Sequence, residues 1–163
     1  SHGKRIFSYW NEAKIIHVIR DPYDIFGSLK QAKKWNSPKE FVERWTPIFS
    51  EIDYLRKQKN YIEIHYEDLI LNTVKTLKKI YKFCNLKWED IYANHEPNQW
   101  EYKIVKKMTG KDSTTLKRLS GPITEARIGI GEKLITQKEK EEIKFLIREE
   151  GLIEEFHLAS KKI

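Results

Sequence analysis

The feature that most constrains the fold is a short apolar run, IIHVI at residues 15–19, followed directly by Arg20, Asp21 and Pro22. Five residues are too few for a helix, and a nearly continuous apolar run is typical of a strand buried on both faces, as parallel sheets require. Asp21 can cap a helix by accepting a free backbone amide, and proline suits the first helical position because its missing donor would be unpaired there anyway. The sequence therefore predicts a strand, a tight turn and a helix that begins at Pro22.

Two side chains around this turn are suited to binding an anion. In open α/β sheets, ligands lie beyond the carboxyl ends of strands, where the next helix presents free amides and the positive end of its dipole. Arg20 offers a planar fork of charged donors, and Ser28 adds a neutral hydroxyl from the second turn of the helix. The alternative is an arginine paired with Asp21 or Asp24 and a serine that faces solvent.

A second strand is predicted at residues 61–66, where apolar and polar side chains alternate. Residues 38–55 carry apolar side chains at helical spacing, so a right-handed parallel crossover through a helix is the natural connection, with a kink or break at Pro47. Another helix follows a cap at Asn72 or Thr73. The inward positions that we expect in these two helices are Phe41, Trp45, Ile48, Ile52 and Leu55, then Val74, Leu77, Ile80, Tyr81 and Cys84.

Two of these segments resemble one family. A strand followed by RDPYDIFGS at residues 20–28 resembles the 3′-phosphate-binding segment of sulfotransferases that use 3′-phosphoadenosine 5′-phosphosulfate (PAPS). A strand, YEDL at residues 66–69, a short loop and an amphipathic helix follow in the family's order. The resemblance implies that Tyr66 lies beside the adenosine part of the cofactor; the alternative is an aromatic side chain in the core at the strand's end.

A third segment, RIGIGEKL at residues 127–134, precedes a helix whose start is marked by a capping box of Thr136 and Glu139. It also resembles the family, in which the arginine and neighbouring backbone amides bind the 3′-phosphate. Arg127 and Gly129 are therefore candidates, and glycine lets the backbone approach a ligand closely. Many relatives carry tryptophan where this chain has Gly131, which is a departure from the pattern.

Residues 88–120 are hard to interpret. The family often has an aromatic side chain after YEDL that stacks on adenine, and Trp100 is the candidate here, against simple packing. KKMTGKDSTT at residues 106–115 has some letters of a phosphate-binding loop. We reject that interpretation because the preceding segment is too polar for a buried strand and the first glycine is absent.

The resemblance covers about residues 14–150 and implies an α/β fold, a three-layer sandwich with a parallel sheet, like that of P-loop NTPases but incomplete at the N-terminus. Upstream of Ile15 there is no strand, no Lys-Ser-Gly-Thr-Thr-like loop for the 5′-phosphosulfate and no base. We expect a single domain at residues 4–163, after residues 1–3 that look like a remnant of an expression tag. A missing N-terminal part or a second chain would complete the fold.

The amino-acid composition limits the classes of molecule that we expect the chain to bind. The net charge of +7, from 31 basic and 24 acidic residues, favours an anionic partner without choosing among nucleotides, polyanions, nucleic acid and membrane surfaces. Nucleic acid is disfavoured because the charges are spread along helices and do not alternate with exposed aromatic residues. Cys84 is the single cysteine, which mildly favours a reducing, cytoplasmic compartment. No apolar run reaches membrane-spanning length, and no histidine or cysteine spacing predicts a metal site.

The resemblance implies a sulfotransferase that moves a sulfonyl group from PAPS, its co-substrate, to a hydroxyl or amine acceptor, without a metal. This chain would supply the part that binds 3′-phosphoadenosine and would be inactive in transfer by itself. The acceptor and the catalytic base are not identified by the sequence. The alternative is a non-catalytic nucleotide- or polyanion-binding module derived from the same fold.

Overall fold

The structure, a computed structural model, describes residues 2–90, residue 107 and residues 123–152, so Trp100 lies outside the described residues. Helices and strands alternate in its first half, and helices end it. The elements in chain order are α1 (His2–Tyr9), β1 (Ile15–Ile19), α2 (Pro22–Gln31), α3 (Pro38–Arg56), β2 (Tyr61–His65), α4 (Tyr66–Leu71), α5 (Thr73–Cys84), a 3-10 turn (Glu125–Arg127), α6 (Gly131–Leu134) and α7 (Gln137–Glu149).

The two strands pair in parallel, in a register that runs from Ile15 opposite Tyr61 to Ile19 opposite His65. Parallel strands need a crossover, and α3 supplies it. The prediction of an α/β fold with a parallel sheet is therefore confirmed. The described part of the sheet has two strands, and the three-layer arrangement stays a prediction.

The helix starts follow the local signals. Asp21 Oδ1 accepts the Asp24 amide at 3.0 Å, and Pro22 is the first residue of α2. The capping box of Thr136 and Glu139 is present at the start of α7. These three predictions are confirmed, because a cap needs only residues that are close in sequence.

One predicted boundary is wrong, and one of the two predictions for Pro47, a kink or a break, is excluded. The second strand ends at His65, and Tyr66 is the first residue of α4 instead of the last residue of the strand. The predicted break at Pro47 is absent, since α3 runs through this residue. Proline removes one amide donor from the ladder, and the packing of the long apolar face of α3 outweighs that loss.

The core lies where α2, α3 and α7 meet, and it contains Phe26, Phe41, Val42, Trp45, Ile52, Ile135, Ile143 and Ile147. Ile48 was expected inward but is 50% exposed, at the rim of an open cavity beside the sheet. Val74 is also exposed, because Thr76 takes the inward position in that turn and donates its hydroxyl to the Asp68 carbonyl at 3.0 Å.

One face of β1 is not covered as the sequence predicted. Ile16 and Val18 are 38% and 49% exposed, whereas Ile19 on the opposite face packs against the core. The prediction that this strand is buried on both faces is therefore wrong for this structure. No helix among the described residues combines the length and the apolar character that crossing a membrane requires.

Candidate functional site

The carboxyl end of β1 brings together three segments of the chain. Arg20 follows the strand directly, and its Nη2 donates to the backbone carbonyl of Arg127. The Arg20 guanidinium carbon also lies 4.4 Å from the ring centre of Tyr66, at the start of α4. A cation above an aromatic face is attracted by the electrons of the ring, so Tyr66 fixes the plane of the guanidinium.

A second guanidinium lies beside Ser28. Arg127 Nη2 donates to Ser28 Oγ at 3.0 Å, and Arg127 Nη1 lies 3.4 Å from Gln31 Oε1. Ser28 and Gln31 are one turn apart on α2, so this face of the helix carries the Arg127 side chain. Sequence positions 99 residues apart are thereby joined at one point.

Asp24 holds the loop that carries Arg127 against α2. Its side chain is buried, and its two oxygens accept the Gly129 amide at 2.9 Å and the Gly131 amide at 2.6 Å. Arg20 Nη2 lies 3.5 Å from the same carboxylate. A buried carboxylate needs such partners, because without them its desolvation would cost several kcal/mol.

Sequence reasoning missed this role of Asp24, which it considered only as a partner of Arg20. An acidic residue in the first turn of a helix is common for reasons of the helix dipole alone. No local signal could have shown that the carboxylate receives two amides from a segment more than a hundred residues later.

The two glycines of this segment have different tasks. Gly129 has a φ of 67°, a conformation that glycine adopts readily, and a Cβ there would touch nothing. Gly131 lies against the backbone of α2, where a Cβ would be 2.6 Å from the Tyr23 carbonyl carbon. The tryptophan that the resemblance leads us to expect at this position would not fit here, because the backbones of the two segments are in close contact.

The acids beside the site are engaged by the backbone. Glu67, the second residue of YEDL, is buried and accepts the Asp21 amide at 3.2 Å. Burial raises the pKa of Asp21 to about 6, and the neighbouring Asp24 and Glu67 add to the rise, while amides from residues 24 and 23 oppose it. Glu67 therefore ties α4 to the turn after β1.

Five of the six residues predicted for the site lie around this one place: Arg20, Ser28, Tyr66, Arg127 and Gly129. The amide of Gly129, which was expected to face an anion, is donated to Asp24. Arg20 Nε is buried and has no hydrogen-bond partner among the described residues. The described ranges, 2–90 and 123–152, contain no cluster of histidine, cysteine or acidic side chains that could hold a metal ion.

Comparison with known proteins points in one direction. A profile of the Sulfotransferase family matches residues 1–90, which is more than half of the chain. Sulfotransferase 2A6 of Rattus norvegicus is 27% identical in a match that covers 64% of this chain and 46% of the rat protein. The match thus spans about half the length of this curated relative. No solved structure is significantly similar to the chain.

Proposed function

Because this chain belongs to the sulfotransferase family, we propose that it binds the 3′-phosphoadenosine half of PAPS for transfer of the sulfonyl group to a hydroxyl or amine acceptor. The acceptor is not identified, and the co-substrate is the only partner that the proposal names. No metal is part of the proposal. Since the match covers about half of the rat relative, we also propose, and do not infer from the match, that the chain takes part in a complete sulfotransferase.

The observation that carries the proposal is the meeting of Arg20, Ser28 and Arg127 at the carboxyl end of a parallel strand. Arg127 lies 107 residues after Arg20 and 99 residues after Ser28, yet Arg20 donates to its backbone carbonyl and its own side chain donates to Ser28 Oγ. Two cationic residues at one end of a strand favour an anionic ligand there, because opposite charges attract. Asp24 compensates part of this charge from the inner side.

Each residue has a role that suits its chemistry. Arg127 and Ser28 would bind the 3′-phosphate by exchanging the hydrogen bond between them for bonds to phosphate oxygens, which are stronger acceptors. The buried Nε–H of Arg20 is a donor that has no acceptor among the described residues, and a phosphate oxygen would accept its hydrogen bond. Tyr66 already holds the guanidinium of Arg20 from the side, so it would lie at the boundary between phosphate and nucleoside.

Gly129 and Trp100 complete the proposed nucleotide site. Gly129 contributes its turn, which places Arg127 above α2, and we do not assign its amide to the phosphate because Asp24 accepts it. Trp100 stays the proposed platform for the adenine ring, in which base and indole stack face to face. Sulfonyl transfer would further need a base for the acceptor and cations at the bridging oxygen. We assign no residue to either of these two roles.

The experiment is a calorimetric titration with adenosine 3′,5′-bisphosphate and, separately, with adenosine 5′-monophosphate. We expect the bisphosphate to bind much more tightly, because only it carries the 3′-phosphate. Arg20→Ala and Arg127→Ala should each weaken its binding by roughly ten- to hundredfold, since a hydrogen bond to a charged group contributes about 1.5 to 3 kcal/mol.

Arg148→Ala is the matched control, because Arg148 is an exposed arginine in the last turn of α7. Its affinity should stay within about twofold of the parent chain. Equal losses in Arg127→Ala and Arg148→Ala would refute the site. A chain that binds an anionic polysaccharide as tightly as the bisphosphate would instead favour the non-catalytic polyanion-binding alternative.

A further inference from the structure

The end of the sheet at which the two strands begin carries large exposed side chains. Tyr9, the last residue of α1, and Trp10 are 72% and 66% exposed, and their ring centres lie 6.0 Å apart. Leu86, two residues after the end of α5, is 59% exposed. Single exposed apolar side chains are common, whereas a group of them on one surface marks a site of interaction. A common partner for these three side chains requires that their segments lie together.

Two hydrogen bonds join these segments at the start of the strands. Asn60 Nδ2 donates to the Asn11 carbonyl at 3.2 Å, which ties the turn before β2 to the turn before β1. Lys14 Nζ donates to the Phe83 carbonyl at 2.6 Å, which brings the last turn of α5 to the same place. We call this region the amino-end surface and define it as residues 5–14, 57–60 and 82–87.

The amino-end surface is strongly basic. Its single acidic residue is Glu12, and the acids Glu89 and Asp90 follow just beyond its last segment. Its six basic residues are all exposed: Arg5, Lys14, Lys57, Lys59, Lys82 and Lys87. A surface with one predominant charge attracts molecules of the opposite charge. An anionic partner is therefore favoured.

We propose that the amino-end surface docks on a phospholipid membrane that contains anionic headgroups. Tyrosine and tryptophan are suited to the interface between membrane and water, because each has an apolar ring with one polar group. Lysine and arginine near such a surface are attracted by the negative potential of anionic lipids. Leu86 adds an exposed apolar side chain, which gains by burial at the boundary between headgroups and acyl chains.

Single-stranded nucleic acid is a poorer fit to the same residues. Such a ligand needs aromatic faces on which successive bases stack along a basic groove. Tyr9 and Trp10 are adjacent in the sequence and their rings are tilted by 57° to each other, so they do not offer parallel faces to two successive bases. A membrane needs no groove, only exposed apolar and basic side chains on one surface.

Docking through the amino-end surface places the proposed nucleotide site at the far end of the strands. β1 runs from Ile15, next to this surface, to Ile19, which directly precedes Arg20. Five strand residues span about 16 Å. Arg20, Ser28 and Arg127 are not part of the amino-end surface, so membrane binding does not rest on the proposed function.

Sedimentation of the 163-residue chain with vesicles tests this proposal. We expect saturable binding to vesicles of equal parts of phosphatidylcholine and phosphatidylserine. Binding to phosphatidylcholine alone should be weaker by roughly tenfold or more, because the attraction of several cations is lost. Binding to the mixed vesicles should also weaken as the salt concentration rises, since salt screens the charges. No binding to the mixed vesicles, or equal binding to both kinds, would overturn the proposal.

Two substitutions and their matched controls locate the membrane contact. Trp10→Ser should weaken binding to the mixed vesicles by roughly tenfold, because a ring at the interface is removed. Phe145→Ser on α7, where the phenyl ring is 61% exposed, should change it by less than about twofold. Lys59→Gln should weaken binding by about fivefold, the contribution of one cation near an anionic surface. Lys144→Gln makes the same change in charge on α7 and should have less than about a twofold effect. Equal losses in a variant and its control would refute contact through this surface.

A further measurement uses the parent chain and needs no variant. In spectra of the labelled chain on bicelles of the same lipids, spin-labelled phosphatidylserine should broaden the amide signals of Asn11, Lys59 and Leu86. The amide signal of Phe145 on α7 should stay unchanged. Broadening confined to segments outside the amino-end surface would contradict the proposal. Tighter binding to single-stranded RNA than to the mixed vesicles, at the same salt concentration, would overturn it in favour of nucleic acid.

Discussion

The Asp24 carboxylate joins parts of the chain that are 105 and 107 residues apart. It is fully buried, and each of its oxygens accepts a backbone amide, so the cost of burying the charge is met by hydrogen bonds of the strong, charge-assisted kind. The same carboxylate lies beside Arg20, whose side chain is 19% exposed. At the scale of single residues, one acid thus positions both arginines of the proposed site.

Ser28→Ala removes a hydroxyl that accepts from Arg127 and leaves the guanidinium charge in place. We expect the affinity for adenosine 3′,5′-bisphosphate to fall by about two- to tenfold, less than in the arginine variants, because only a neutral hydrogen bond is lost. Calorimetry and thermal unfolding together check this. Ser8→Ala in α1, where the hydroxyl donates to the Arg5 carbonyl, is the control. A large fall in melting temperature with unchanged affinity would show that Ser28 is structural.

The substitution Asp21→Asn tests how the raised pKa of the carboxyl group that caps α2 affects stability. Burial raises the pKa of Asp21 from 3.8 to about 6, so between these values the folded chain holds this proton more tightly than the unfolded chain does. The contribution of Asp21 to the free energy of unfolding is therefore largest in acid and is lost as the pH rises to about 6. Asparagine keeps the cap acceptor without the charge.

We therefore expect Asp21→Asn to be more stable than the parent chain at pH 7 and nearly equal to it at pH 3.5, measured by urea unfolding across this range. Asp53→Asn is the control, since the Asp53 side chain is 76% exposed. Its difference from the parent should hardly change with pH. If Asp21→Asn is less stable than the parent at pH 7, the charge of Asp21 is stabilising and our reasoning fails.

At the scale of elements, what could be predicted depended on distance along the chain. The cap of α2, the capping box of α7 and the apolar run of β1 are local signals, and each produced the element that it predicts. Tyr66 was assigned to the strand because the alternation continues through it, but the chain turns into α4 there. The contact between α6 and α2 could not be predicted, since it depends on residues that meet only after folding.

Gly131→Ala tests this contact between α6 and α2. The added Cβ would lie 2.6 Å from the Tyr23 carbonyl carbon, so backbone must move, and we expect a loss of about 1 to 3 kcal/mol in the free energy of unfolding. Gly129→Ala is the comparison, because its Cβ would meet nothing and its cost comes from the positive φ alone, about 1 kcal/mol. Urea unfolding of both variants decides the matter. A Gly131→Ala variant as stable as the parent would show that the elements are not in this close contact.

At the scale of the whole molecule, the proposed binding surface and the chemistry of transfer are separate questions. The described residues include the arginines of the proposed anion site, which are in contact with Tyr66, Asp24 and Ser28. They also leave Ile16 and Val18 of β1 exposed, which is unusual for a strand of a parallel sheet. Binding of a nucleotide and transfer of its sulfonyl group can therefore be tested separately.

We expect the 163 residues to bind adenosine 3′,5′-bisphosphate and to transfer no sulfonyl group. Transfer needs a base for the acceptor and a cation at the bridging oxygen, whereas the three segments that resemble the family would all serve the 3′-phosphoadenosine side. Labelled PAPS, offered with phenol, alcohol and amine acceptors, measures the transfer, and the rat relative serves as the positive control. Product formed by these 163 residues would show that the catalytic groups are present in this chain and have been overlooked.

The hydrogen bonds of Asp24 also determine how early the folded segment can form during protein synthesis. A ribosome adds roughly 5 to 20 residues per second, so the 107 residues between Asp24 and Gly131 take about 5 to 20 seconds to make. During this interval α2 and the parallel strand pair can already form on the emerging chain, but the Asp24 carboxylate has neither of its two amides. The cluster around Arg127 therefore closes only after Gly131 has been made, and a chain released before Gly131 contains Arg20 and Ser28 without the segment that unites them.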